Sequence, residues 1–130
     1  MTADHAGGAL AILLYDGAYA RAHYAFVMAA GALAIGRPVL MFAAGRGVHA
    51  LARDWRGLHD SGDDAQVRAR GVAGMDTLRD AVVELDGTLM VCDAALRLCA
   101  LSPDQLLDGV LVAGIPTFLE AARGRQIITL

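Results

Sequence analysis

The 130-residue chain contains no lysine and no asparagine, and all 11 of its basic residues are arginine. Without lysine there is no pyridoxal Schiff base, no Walker-type phosphate lysine and no lysine general base. Charge is scarce too. Asp, Glu, Lys and Arg make up 19% of the residues, below the usual quarter, and the net charge is −3. The arginines are scattered, so no basic face is offered and no nucleic-acid partner is expected. Cysteine is limited to Cys92 and Cys99. On one continuous helix they would lie about 10.5 Å apart along the axis, whereas a disulfide needs Cα atoms within roughly 7 Å. Their spacing fits no zinc pattern, and no metal or other cofactor is expected. The dinucleotide fingerprint is missing as well, because Gly45-Arg-Gly47 has Ala50 where the third glycine would stand.

Apolar residues, by contrast, reach 56%. Such a surplus must be buried against other subunits or touch a membrane. The longest uncharged apolar stretch, Tyr24 to Gly36, ends at Arg37-Pro38 and falls short of the ~20 residues of a spanning helix. Ala18-Tyr19-Ala20 mimics a signal cleavage site, but no basic segment precedes it and Asp4 and Asp16 flank the short apolar run. A cytoplasmic protein without membrane contact is expected, and with it a homo-oligomer.

After a small polar start, Met1 to Gly8, the chain alternates strand and helix. Ala9 to Tyr15 is a continuous apolar run ended by Asp16-Gly17, the pattern of a strand buried on both faces of a parallel sheet. Tyr19 to Ile35 reads as a helix closed by Gly36. Its Tyr24–Ile35 part carries no charge on any face, so one side is expected on the sheet and the other against a second subunit. Further strands are predicted at Pro38–Ala43, Thr88–Cys92, Val110–Ala113 and Gln126–Thr129. Helices are predicted at Asp63–Arg70, Gly74–Leu85, Asp93–Leu98 and Ile115–Ala122. A short helix is placed at Val48–Arg53 in the otherwise irregular Gly45–Asp64 segment, and Ser102-Pro-Asp-Gln105 reads as a capping box opening a brief helix that Gly109 ends. The chain is thus expected to form one three-layer α/β domain over residues 1–130. Its five-stranded, mostly parallel sheet would carry helices on both faces, flavodoxin-like in outline.

In such a sheet, chemistry gathers at the carboxyl ends of the strands. The predicted ring there comprises Asp16, Gly17, Gly45, Cys92, Asp93 and Gly114, with His23 or His49 in reach. Cys92 is its nucleophile. Backbone amides at the following helix start would lower the thiol pKa, and ionised Asp93 would raise it. Cys99 falls on the apolar side of a short helix and is expected in the core.

These residues resemble the DsrE/DsrF-like family. The resemblance lies in Leu89-Met-Val-Cys92 with Leu98 to Leu101 after it, in the closing Gly114-Ile-Pro-Thr-Phe-Leu-Glu-Ala121, and in the apolar strand leading through Asp16-Gly17 into Arg21-Ala-His-Tyr-Ala-Phe-Val-Met-Ala-Ala30. It covers nearly the whole chain from about Leu10 onward. It implies a DsrE-like α/β sandwich assembled into dimers, trimers or hexamers. It also implies a sulfur relay: a cysteine after the third strand, matched here by Cys92, takes sulfane sulfur as a persulfide from a donor protein and passes it to an acceptor. Activity, if present, would be sulfurtransferase-like. Asp93 directly after the cysteine and the longer Trp55 segment are peculiar to this chain. Two other readings compete. One is a non-catalytic oligomer that binds a small anionic ligand or nucleotide at the same strand ends through Arg21, Arg46 and backbone amides; the other is an oligomerisation partner with no site of its own.

Overall fold

A computed structural model describes residues 8–130; of the expected polar start at Met1–Gly8, all but Gly8 lies outside the described residues. The strands are β1 (Leu10–Leu14), β2 (Val39–Ala43), β3 (Thr88–Cys92), β4 (Leu111–Ala113) and β5 (Gln126–Thr129). They form one sheet in the order β4-β3-β2-β1-β5, and every neighbouring pair is parallel. The sheet is therefore parallel throughout rather than mostly so. Leu10↔Val39 and Leu40↔Thr88 set the register of the three central strands. Their uninterrupted apolar runs follow from burial on both faces.

Among the described residues the helices that accompany the sheet are α1 (Tyr19–Ala34), α2 (Asp63–Ala69), α3 (Met75–Glu84), α4 (Asp93–Leu98) and α5 (Ile115–Ala121). Helices lie on both faces, as the pattern predicted, but unevenly. On one face Ile12, Leu14, Met41 and Val91 pack with Phe26 of α1, Val82 of α3 and Leu96 of α4. The other face holds a smaller cluster in which Leu40, Phe42 and Met90 meet Phe118 and Ala122 from α5 and its end, with the Phe42 and Phe118 rings stacked 4.7 Å apart.

Part of the apolar girth of α1 is covered within the chain. Ala22, Ala25, Phe26, Ala29 and Ala32 form its buried stripe, and α3 of the same chain packs along it. Tyr24 and Ile35 remain 56% and 75% exposed on the uncovered side and end of the helix. Gly36 closes α1 as expected, with the amides of Gly36 and Arg37 bonded back to Leu33 and Ala32.

Two predicted helices become 310 turns. The Val48–Arg53 segment is part of a 310 helix at Gly45–Leu51, followed by another at Trp55–Gly57. After Ser102, whose amide donates to Gln105 Oε1 at 2.9 Å, only Pro103–Gln105 is helical. The cause is tertiary. Leu106 is buried and bridges Ala52, while Leu107 N–H donates to Leu51 O at 2.9 Å, so the backbone pairs across rather than along the chain.

Two buried charges tie the irregular segment down. Arg79 Nη1 donates to the carbonyls of Ala50 and Ala52 at 3.0 and 2.5 Å, and its Nη2 to that of Arg53 at 3.0 Å. Asp64 accepts from Tyr19 Oη at 2.5 Å, Met75 N at 2.8 Å and Arg68 Nε at 2.9 Å, linking α1, α2 and α3. Burial pushes the Asp64 carboxyl up, but the three donors together outweigh it and hold the carboxyl below its ordinary value. A depressed carboxylate stabilises the fold fully above the unfolded-state pKa, and that contribution is lost as pH falls through the folded one. Asp64→Asn should therefore lower stability at neutral pH and flatten the acid limb of a melting-temperature-versus-pH curve. Parallel curves for the two proteins would refute this.

Candidate functional site

Cys92 is the last residue of β3 and the residue before the first turn of α4. It is half-buried, touches both core clusters, and sits in register with Ala113 of β4. Leu13, Ala44 and Ala113 share its half-buried place against the smaller cluster, whose buried members include Phe42, Met90 and Phe118. Asp93 is exposed and pairs with Arg97 one turn along α4, with Nη1 3.0 Å from Oδ1. That guanidinium offsets part of the charge the carboxylate would set beside the thiol. Gly114 stands just past β4 and precedes α5.

A cavity of about 430 Å³ opens beside these strand ends, lined by Tyr15, Asp16, Gly17, Gly45, Arg46, His59, Leu98 and Cys99. Asp16, Gly17 and Gly45 of the predicted ring come together here. Cys92, Asp93, Gly114 and His23 are not among its lining residues. His23 is held elsewhere, its Nε2 2.8 Å from Ala73 O and its ring stacked on Tyr19 at 5.4 Å between centroids. His49 is also outside the lining; burial first, then the charges of Arg46 and His59, lower its pKa. Cys99 belongs partly to the core, as expected, but it also faces this cavity, with Sγ 3.7 Å from Gly45 O.

The loops approach too closely here for side chains at two positions. A Cβ at Gly17 would lie 2.6 Å from Arg46 Cβ, and one at Gly45, where φ is +52°, would lie 2.8 Å from the Tyr15 ring. Glycine is required by both the contact and the left-handed backbone. His59 arrives from 40 residues downstream because its amide donates to Gly17 O at 2.9 Å and Ala18 bridges to it. Nothing local in the sequence marks Tyr15, Arg46, His59, Leu98 or Cys99 as neighbours. A second groove, of about 500 Å³, lies along the Trp55 segment between Arg53, Asp54, Trp55, Arg56 and Asp76. There Trp55 Nε1 donates to Asp76 at 2.7 Å, and hydrogen bonds from Arg56 hold the Asp54 carboxyl down to about 2.

Among the described residues no three His, Cys, Asp or Glu side chains gather around a common point as metal ligands would, and no helix is long and apolar enough to cross a membrane.

The chain is thus an all-parallel α/β protein with a cysteine at the end of β3 and a cavity at the ends of β1 and β2. The DsrE/DsrF-like family model matches residues 9–130, and the chain belongs to that family. Among solved structures it is similar to the ychN protein of E. coli, with a TM-score of 0.64, 12% identity, and 94% of this chain and 99% of that one covered. It is also similar to MTH1491 of Methanobacterium thermoautotrophicum, described as a protein of unknown function, with a TM-score of 0.55, 19% identity, and 93% and 97% covered. At these identities the likeness shows the fold. No curated protein matches the chain.

Proposed function

We propose that this chain is a cytoplasmic sulfur carrier of the sulfurtransferase type, working as a homo-oligomer. The Cys92 thiolate attacks the outer sulfur of a donor persulfide, R–S–SH. A sulfur–sulfur bond forms on Cys92 as the donor's bond breaks, and the donor leaves as a thiolate. An acceptor thiolate then attacks the outer sulfur of the Cys92 persulfide and regenerates the Cys92 thiolate, with no net oxidation or reduction. The observation that carries the reading is the placement of the half-buried Cys92 at the carboxyl end of β3 in a chain of this family. The test is transfer. Protein loaded with sulfane sulfur and freed of donor should hand it to a low-molecular-weight thiol in an amount matching the loaded Cys92. Sulfur that stays bound or was never taken up would defeat the proposal.

The assembly has its own support. Leu111, Val112, Ile115, Leu119 and Ile127 are 43–54% exposed, and all belong to the β4-α5-β5 unit. Leu111 is in register with Met90 and Ile127 with Ala11, so both edge residues share the sheet face that α5 alone covers. An apolar surface of this kind is a typical subunit contact. Leu119→Glu is expected to lower the solution mass by light scattering to that of a smaller assembly while the circular dichroism stays unchanged. A native mass of a single 13.6 kDa chain would rule the assembly out.

A further inference from the structure

We propose that the cavity at the carboxyl ends of β1 and β2 is a second site, which binds a small organic anion with its charge on Arg46 and its body against the Cys99 thiol. The proposal goes beyond the Cys92 reading and does not depend on it. Four separate segments build the cavity: Tyr15 to Gly17 after β1, Gly45-Arg46 after β2, His59 from the long connection, and Leu98-Cys99 at the end of α4. Backbone hydrogen bonds fix three of them, with Gly47 N–H donating to Tyr15 O at 3.2 Å and His59 N–H to Gly17 O at 2.9 Å. The fourth is held where the Cys99 thiol meets Gly45 O.

The charges around it are uneven. Asp16 accepts the Ala18 amide at 2.7 Å and lies 3.6 Å from Arg21, a cation outside the cavity lining, so its charge is already engaged. Arg46 is exposed and forms no ion pair among the described residues. The remaining walls are the Tyr15 ring and Leu98, 65% and 85% exposed. That mixture suits an anion with an organic body better than a bare inorganic ion. At about 430 Å³ the cavity lies low in the range of small-molecule sites, too small to enclose a dinucleotide.

Thiol-directed probes of different charge test the site. The native protein is treated with iodoacetate or, separately, with neutral iodoacetamide, and both cysteines are followed by peptide mapping, so no cysteine variant is needed. In each case the thiolate displaces iodide and forms a sulfur–carbon bond. Relative to iodoacetamide, iodoacetate should modify Cys99 in the native chain about fivefold faster than in Arg46→Gln, the factor one unit charge provides at ~4 Å in water-like surroundings. Arg46→Glu should turn the preference against the anion. Arg46 is exposed, so both variants should fold. The same ratio in all three proteins would overturn the proposal, as would a Cys99 that reacts with neither reagent until the chain unfolds. Neither result bears on whether Cys92 carries sulfur.

Discussion

Cys92→Ser is expected to abolish loading with sulfane sulfur, whereas Cys99→Ser retains it. The difference rests on position. Cys92 ends β3, in register with Ala113 of β4 and one residue past Val91, which pairs with Ala43 of β2. Cys99 closes the six-residue α4 at its other end and faces a separate cavity. The proposed relay uses a cysteine after the third strand, the place that Cys92 holds. A serine hydroxyl is far too weakly acidic to replace the thiolate as nucleophile, so loading should fall to background rather than by a modest factor. The fold should survive. Cys92 is half-buried, and exchanging its thiol for a hydroxyl there costs on the order of 1 kcal/mol, within the 5–15 kcal/mol typical of a domain. Equal melting cooperativity with lost loading separates a chemical role from a structural one. Loss of loading in Cys99→Ser but not in Cys92→Ser would reverse the assignment.

The largest stability effect is expected at Arg79. Its side chain is 7% exposed and satisfies the carbonyls of Ala50, Ala52 and Arg53, where the 310 helix after β2 ends. Burial lowers its pKa, with Asp76 and Asp80 working the other way, and a guanidinium starts so high that it stays charged. Arg79→Met keeps much of the buried hydrocarbon but leaves three carbonyls without their donor. Hydrogen bonds to a charged donor are worth ~1.5–3 kcal/mol each and do not simply add, so a loss of about 3–5 kcal/mol is expected. For a chain of this length that corresponds to a melting temperature roughly 10–20 °C lower. Hydrogen exchange should quicken first in Gly45–Arg53. Since Gly45 and Arg46 line the strand-end cavity, that cavity should loosen with it. A melting temperature within a few degrees of the native protein would show that water replaces the guanidinium without cost.

The strands and most helices were legible because their signals are local. Continuous apolar runs bounded by Asp16-Gly17, Gly36 and Asp86-Gly87 mark buried parallel strands and the helix ends before them. The Gly45–Asp64 and Ser102–Gly109 segments were not legible in the same way. Their backbone is set by pairing with each other through Ala52 and Leu106 and by the Arg79 fork, partners 26 or more residues apart. The buried Arg79 and Asp64 look on paper like ordinary charges on amphipathic helices. The site divides similarly. Strand ends could be named from the sequence, so Asp16, Gly17 and Gly45 were placed where the cavity lies and Cys92 at the end of β3. Arg46, His59 and Cys99 meet through loop crossings that no spacing rule encodes. His23 was drawn into the ring by its nearness in sequence to Asp16, and the helical turn between them carries its imidazole to Ala73 instead. The apolar surplus was read correctly as an excess, yet the helix thought to bear it finds part of its cover in α3. The exposed remainder is spread over the surface, with Tyr24 and Ile35 at α1 and a group on the β4-α5-β5 unit.

The most direct test of the central claim is peptide mapping of the native chain after exposure to a sulfane-sulfur donor, with free thiols blocked before digestion. The sulfur-relay account predicts an addition of about 32 Da, the mass of one sulfur, on the peptide carrying Cys92, and its removal by a reducing thiol. A chain that gains no sulfur, with Cys92 blocked only after unfolding, would contradict it and leave a structural cysteine in its place.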